Sequence, residues 1–225
     1  METDVIVVGA GPTGLTLAHE LARGGIRCHL IDKDNGPSVH SKALAVQARS
    51  LELFRWMQLD RQFLDQGFRA PGIRISVEGK YVAKGELSGL LDAGTRAGFV
   101  LVISQADTEK ILIAGLARHG GCVHWQTECL RFVRTGADLF PVVATCRRAN
   151  GTTYEIAARF IVGCDGAHSM VRHAMPVEFA GDAYQQRFIL ADAKLTWSHS
   201  YDYLNLFLGR TGVCIFFPFR EQQFG

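Results

Sequence analysis

The stretch Gly9-Ala10-Gly11-Pro12-Thr13-Gly14 combines residue types and spacing that suit phosphate chemistry. In a G-x-G-x-x-G turn the first glycine permits a tight bend and the second lets the backbone approach a pyrophosphate. The third allows a helix to pack closely on a strand. The N–H groups that open such a helix carry a partial positive charge and face the phosphates. Pro12 and Thr13 fall in that same opening turn and are counted with Gly9, Gly11 and Gly14 as cofactor-binding candidates. Asp32 lies 23 positions after Gly9, with Lys33 next to it. A carboxylate there accepts hydrogen bonds from an adenosine ribose and repels a 2′-phosphate, so FAD and NAD fit this first site and NADP is disfavoured.

Other chemistries find less support. The six cysteines, at 28, 122, 129, 146, 164 and 214, form no C-x-x-C pair, which argues against a redox dithiol motif or a zinc ribbon. They read as isolated, small buried hydrophobes in a reducing cytosol. His119 and His124, like His168 and His173, are five apart, which is not the spacing of a helical metal pair. No Ser–His–Asp arrangement stands out, so no catalytic side chain and no metal are assigned.

The elements that must hold the glycine turn are legible around it. Asp4–Val8 is a short apolar run suited to a buried parallel strand. Leu15, Leu17, Ala18, Leu21 and Ala22 form an apolar helical stripe, stopped by Gly24-Gly25. Ile26–Ile31 reads as a second strand closed by Asp32, completing a βαβ start. Further helices are expected over Ser41–Leu59 and Asp107–Arg118, the latter capped by Asp107. Strands are expected over Ile73–Val82 with a turn at Glu78-Gly79, and over Cys122–Arg134, Leu139–Arg148 and Thr152–Ala158. Asn150-Gly151 marks a type I′ hairpin between the last two. Phe160–Gly163 returns as a buried strand, and Arg187–Phe219 reads as long strands of a separate sheet.

Composition narrows the class. The 225 residues are 48% hydrophobic and 20% charged, an ordinary globular balance. A net charge of +2 gives no concentrated basic face for nucleic acid. Apolar runs such as 98–103 fall far short of the ~20 residues that span a bilayer, so no stable membrane association is expected. The chain opens into a strand rather than a basic leader, which points to the cytoplasm.

Three separated segments resemble the FAD-dependent aromatic-hydroxylase family, the flavoprotein monooxygenases of the para-hydroxybenzoate and phenol hydroxylase type. The first is the glycine turn with Asp32-Lys33, where the family more often has Glu-Arg. The second is His40-Ser41-Lys42-Ala43-Leu44-Ala45-Val46-Gln47-Ala48-Arg49-Ser50-Leu51-Glu52-Leu53-Phe54. The third, Gly163-Cys164-Asp165-Gly166-Ala167-His168-Ser169-Met170-Val171-Arg172, follows the family's D-G-x-x-S-x-x-R pattern. The resemblance implies an α/β fold: a Rossmann-like FAD-binding domain over 1–175, with a sheet segment inserted near 70–100. The start of a β-sheet-rich substrate domain would follow over 176–225. It implies that Asp165 and Gly166 sit near the ribityl and pyrophosphate groups, that Arg172 supports approach of the pyridine nucleotide, and that Gln105 contacts the flavin. Lys42 stands where the family usually has Arg beside the pyrophosphate, keeping the charge and losing the planar fork.

The activity implied is that NADH or NADPH reduces FAD and a flavin hydroperoxide then passes one oxygen atom from O₂ to a small aromatic substrate. The family's second flavin motif is not matched. Gly181-Asp182-Ala183 begins like it, but Tyr184-Gln185-Gln186-Arg187 continues without the required His, Pro and glycines. The chain is therefore expected to be about the N-terminal half of a family member. Its partner would be the missing C-terminal half or a second copy, and alone it would hold FAD weakly or not at all. A non-catalytic nucleotide-binding fragment and another flavoprotein oxidoreductase of the same fold are the alternatives.

Overall fold

The structure, a computed structural model, describes residues 1–39, 44–87, 99–182 and 186–219. Two compact units form, residues 1–39 with 109–189 and residues 40–108 with 190–225. The chain passes between them at 39/40, 108/109 and 189/190. Residues 70–100, expected as an insertion in a 1–175 domain, thus group with most of the 176–225 stretch.

In the first unit β1 (Glu2–Val8) leads through α1 (Pro12–Arg23) to β2 (Cys28–Ile31), the expected βαβ start. β1 pairs in parallel with β2 on one side and with β11 (Thr153–Gly163) on the other. Ile6 and Val7 are fully buried, which is why this strand is apolar without alternation. The six-stranded sheet runs β8 (Val123–His124), β2, β1, β11, β10 (Val142–Arg148), β9 (Thr127–Arg134). Its first four strands are parallel, β10 runs antiparallel to them, and β9, antiparallel to β10, runs with the four again. Ile6, Val8 and Ile31 share a core with Cys129, Ala144, Cys146, Ile156 and Val171, the last on α5 (Met170–His173).

Several elements differ from the sequence reading. β11 is one strand, not the two expected over 152–158 and 160–163. Its first half pairs with β10 and its second with β1, so each half has a partner across Arg159. The strand expected over 122–134 divides at Gln126, whose φ of 53° turns the chain from β8 beside β2 to β9 beside β10. Gln126 N–H donates to Asp34 O at 2.8 Å, which satisfies the turn locally. The hairpin at Asn150-Gly151 exists but is not type I′. Only Gly151 takes positive φ (81°), its N–H donates to Arg148 O, and Arg148 N–H donates to Thr152 O. That is a type I turn followed by a glycine bulge, with Asn150 Oδ1 accepting from Thr152 N–H at 3.0 Å.

α4 (Gln105–Arg118) begins two residues before the expected Asp107 cap. Ser104 Oγ accepts from Asp107 N–H at 3.0 Å and donates to the Asp107 carboxylate at 2.7 Å, so serine is the cap and Asp107 its reciprocal partner.

The second unit holds two small sheets. One is β3 (Ala45–Val46), β7 (Val100–Val102), β4 (Phe68–Ala70); the other is β13 (Gly212–Phe216), β12 (Leu204–Gly209), β5 (Gly72–Val77), β6 (Lys80–Glu86). The turn between β5 and β6 falls on Glu78 and Gly79, both at positive φ (49° and 77°), as the sequence predicts. The single helix expected over 41–59 is shorter, α2 (Ala48–Trp56), and Gln58 at φ 58° turns the chain into α3 (Asp60–Gln66). Phe54 and Phe63 stack at 3.9 Å between centroids and join the two helices. The tail is mostly irregular before β12, because β12 needs β5 as its parallel neighbour and only 204–208 reach it.

Candidate functional site

β1, β2 and β11 end side by side, with Val8 opposite Ile31 and Gly163. Gly9 N–H donates to Ile31 O at 2.8 Å, and Cys164 N–H donates to Val8 O at 2.7 Å. The glycine turn is thereby pinned between its two neighbours. Gly9 has φ +101°, and a side-chain carbon there would meet the carbonyl of Cys164 and the backbone nitrogen of Asp165. One on Gly14 would run into the carbonyl of Gly9. Gly11 is different, since a carbon there would meet nothing within 4 Å. Gly11 is also the residue preceding α1, no side chain caps that helix, and Pro12 fills a first-turn position that needs no donor. The opening N–H groups of α1 are therefore presented at a place where the backbone is bare on one side.

Asp32 closes the turn from the end of β2. Its Oδ2 accepts from Ala10 N–H at 2.6 Å and its Oδ1 from Asp34 N–H at 2.9 Å. Each oxygen keeps a lone pair for a ribose hydroxyl. Lys33 beside it is exposed. It lines a cavity of about 450 Å³ with Asn35, Gln126, Glu128, Arg147 and Arg148, in which Arg147 pairs with Glu128 at 2.6 Å.

Asp165 and Gly166 leave β11 as a loop, with Gly166 at φ +79°. Both oxygens of the Asp165 carboxylate are held by the residues that follow: Oδ1 accepts from Ser169 Oγ at 2.5 Å, Oδ2 from Met170 N–H at 2.7 Å and Val171 N–H at 3.3 Å. Ser169 Oγ in turn accepts from Arg172 N–H at 3.0 Å, so acid and serine together cap α5. Arg172 Nη2 donates to Ala167 O at 2.9 Å, and its guanidinium lies 4.3 Å from the centre of the Phe179 ring. Gly163 allows the approach of α5, since a side-chain carbon there would stand 2.7 Å from Val171 Cβ.

The structure thus gathers Gly9, Gly11, Pro12, Thr13, Gly14, Asp32 and Lys33 in the first unit, with Asp165, Gly166 and Arg172 on the loop and helix that follow the adjoining strand. Gln105 opens α4 within the second unit. Lys42 lies outside the described residues. Sequence reasoning missed three supporting groups: the N–H of Ala10, which orients Asp32; Gly163; and Ser169, the cap. Gly163 and Ser169 lie inside the third motif, so the signal was present without a role attached.

Burial tunes the groups around the turn. Cys28 on β2 is pushed up to about 11 by burial, and burial with the nearby Asp165 charge raises Cys164. His29 on β2 is driven down to about 4 by burial, by His124 stacked 3.8 Å away and by Arg148. Among the described residues no cluster of His, Cys, Asp or Glu suits a metal, and no helix is long and apolar enough to cross a membrane.

An uncapped helix start, a bare Gly11 and an oriented acid at the next strand end define a dinucleotide-binding α/β protein, and the donors present fit the diphosphate and ribose of FAD. A family model described as FAD binding domain matches residues 2–221, and the chain belongs to this family, the FAD-binding domain of flavin-dependent aromatic monooxygenases. It is 34% identical over 96% of its length to the 6-methylpretetramide 4-monooxygenase of Streptomyces rimosus, covering 38% of that protein. It is 29% identical over 82% of its length to the pentachlorophenol 4-monooxygenase of Sphingobium chlorophenolicum, covering 34% of it. The solved structure of p-nitrophenol 4-monooxygenase from Pseudomonas putida superposes with a TM-score of 0.74 over 95% of this chain and 57% of that one. At 19% identity this likeness speaks for the fold alone. The chain spans little more than a third of the length of the two curated relatives.

Proposed function

We propose that this chain holds FAD as part of an NADH- or NADPH-consuming monooxygenase that hydroxylates a phenol-like or polyketide aromatic with O₂. The observation that carries the reading is the contrast inside the glycine turn, where Gly9 and Gly14 are sealed against backbone while Gly11 and the start of α1 are open. Bound FAD supplies the oxygen activation; the protein supplies binding, orientation and exclusion of water. In this reading the opening N–H groups of α1 hold the diphosphate, and Asp32, aimed by Ala10 N–H and Asp34 N–H, accepts from the ribose. Lys33 adds positive charge at the adenosine end. The Asp165–Gly166 loop serves the ribityl side with backbone groups, since its carboxylate is engaged by α5. Arg172 is the cation that receives the pyridine nucleotide. Gln105 and Lys42 keep the flavin and pyrophosphate roles that family resemblance implies. The relatives' names, a pretetramide and a chlorinated phenol as substrates, support the aromatic class.

The test is incubation with FAD, desalting and a visible absorption spectrum, followed by NADH and NADPH oxidation, oxygen uptake and product analysis on a phenolic panel. Retained flavin with substrate-dependent oxygen uptake and a hydroxylated product supports the whole reading. Retained flavin without turnover supports FAD binding alone, and a colourless protein overturns the proposal for this chain.

A further inference from the structure

Cys129 on β9 and Cys146 on β10 are 17 residues apart in sequence, and a bulge makes them neighbours. From Val142↔Arg134 to Thr145↔Arg131 the two strands keep one register, which then shifts so that Cys146 faces Cys129. Without the shift Cys146 would face Leu130. The extra residue, Leu130, is exposed, whereas Cys129 and Cys146 are buried in the core beside Ile156 and Val171. Cys129 Sγ donates to Arg131 O at 3.8 Å. β9 is the outer strand of its sheet, so its pairing with β10 can open from one side without disturbing β1 or β11. The other cysteines stand apart from this pair: Cys122 and Cys214 are exposed, and Cys28 and Cys164 lie on β2 and just after β11.

We infer that Cys129 and Cys146 form a dithiol that a peroxide oxidises to an intrachain disulfide, stapling the outer strand β9 to β10 beneath α5. The step balances as follows. The Cys146 thiolate attacks one peroxide oxygen and the O–O bond breaks, giving a sulfenic acid and, with one proton, water. The Cys129 sulfur then attacks the sulfenic sulfur, the S–S bond forms, and the hydroxyl leaves as a second water with the Cys129 proton. Two thiols supply two electrons and hydrogen peroxide becomes two waters. Cys129 Sγ is a donor to Arg131 O and so holds its proton, while the neighbouring Cys129 lowers the Cys146 thiol against the opposing effect of burial, which together assign the attacking role to Cys146. The closed loop runs from 129 to 146, so oxidation constrains the unfolded chain and stabilises the sheet.

The experiment uses the 225-residue chain carrying Cys122→Ser and Cys214→Ser, both at exposed positions. After graded hydrogen peroxide, denaturation and alkylation, non-reducing peptide mass mapping locates the link. Cys129 and Cys146 are expected to leave the alkylated pool together, to appear as one joined peptide pair and to return with dithiothreitol. The oxidised form is expected to melt several degrees higher. Adding Cys129→Ser is expected to leave a sulfenic acid at Cys146 that dimedone traps, with circular dichroism checking the fold. Full alkylation of both cysteines at every peroxide dose overturns the inference, as does a link to Cys28, to Cys164 or between chains.

Discussion

Helices α1 and α5 each follow one of two neighbouring parallel strands of the same mixed sheet, and they treat their first N–H groups in opposite ways. α5 is closed by its own side chains, with Ser169 accepting from Arg172 N–H and Asp165 accepting from Met170 and Val171. α1 has no side-chain cap, only Gly11 with open space beside it. Asp32, the acid near α1, receives Ala10 N–H from the turn rather than a group of the helix. A capped terminus is complete within the protein; an uncapped one beside a bare glycine is complete only with a ligand. Two acids at strand ends thus divide into one that caps its own helix and one that holds the turn before a helix it leaves uncapped.

The sharpest way to break this contrast is through the glycines. Gly14→Val and Gly9→Ala each press a side chain into backbone, Gly9 also at φ +101°, and each is expected to remove about 3 kcal/mol or more from the stability of the first unit. Gly11→Ala is expected to cost no more than about 1 kcal/mol in the same urea titration, the cost of alanine at an N-cap, since nothing lies within 4 Å. It is expected to weaken FAD at least tenfold by fluorescence titration, because the methyl group occupies the approach of the diphosphate. Equal stability losses in all three variants would remove the distinction between packed and open glycines.

Acid separates the two termini by another route. His29 sits on β2, the strand that leads into Asp32, and its folded value near 4 is below the ordinary 6.5. The unfolded chain therefore binds this proton more readily. The stability that neutral His29 contributes is full above pH 6.5 and is lost as pH falls toward 4. Linkage arithmetic gives about 2 kcal/mol less stability at pH 5 than at pH 7.5, and His29→Phe is expected to flatten that slope. Urea unfolding at the two pH values, with and without the substitution, measures it. Hydrogen exchange should show β2 and the α1 turn loosening before α5.

How far these features were legible depends on whether their causes are local. The α1 turn was readable because its glycines, the apolar run before it and Asp32 lie within one βαβ unit. The turn at Glu78-Gly79 was readable for the same reason. The pairings that depend on register were not: nothing near Cys129 names Cys146, and nothing near His29 names His124. Asp107 looked like a cap because aspartate is common there, yet Ser104, three residues earlier, was the better placed acceptor. β11 read as two strands because its apolar pattern breaks at Arg159, a break that two different neighbours make tolerable. Within the third motif the sequence singled out Asp165, Gly166 and Arg172, while the capture of the Asp165 carboxylate by Ser169 and the start of α5 needed coordinates.

The two acids offer a finer comparison. Asp165→Asn keeps the size but loses the charge that accepts from Ser169 and two backbone N–H groups, and is expected to lower stability by about 1–2 kcal/mol. Asp32→Asn, with its two backbone donors each still able to find the amide oxygen in only one orientation, is expected to be milder in stability, below about 1 kcal/mol. Its larger effect is expected on FAD, about tenfold in affinity, from the loss of a charged acceptor for ribose. Thermal melts paired with flavin titrations on both variants read the two effects separately; a larger FAD defect in Asp165→Asn would reverse the assignment of roles.

Arg172 carries the smallest expected change and tests whether the capped terminus has any ligand role. Its Nη2 donates to Ala167 O and its plane covers Phe179, so part of its work is to hold the Asp165 loop against α5. Arg172→Lys keeps the positive charge, loses the planar stacking and the fixed fork, and is expected to lower stability by about 0.5–1 kcal/mol. A purely structural arginine would show that loss and nothing else. An arginine that also receives a pyridine nucleotide would raise the KM for NADH or NADPH in Arg172→Lys, and more in Arg172→Gln, while leaving FAD affinity unchanged. Because Arg172 sits in the last turn of a helix whose start is already capped, that split between reductant and flavin is the measurement that tells a ligand-binding arginine from a purely structural one.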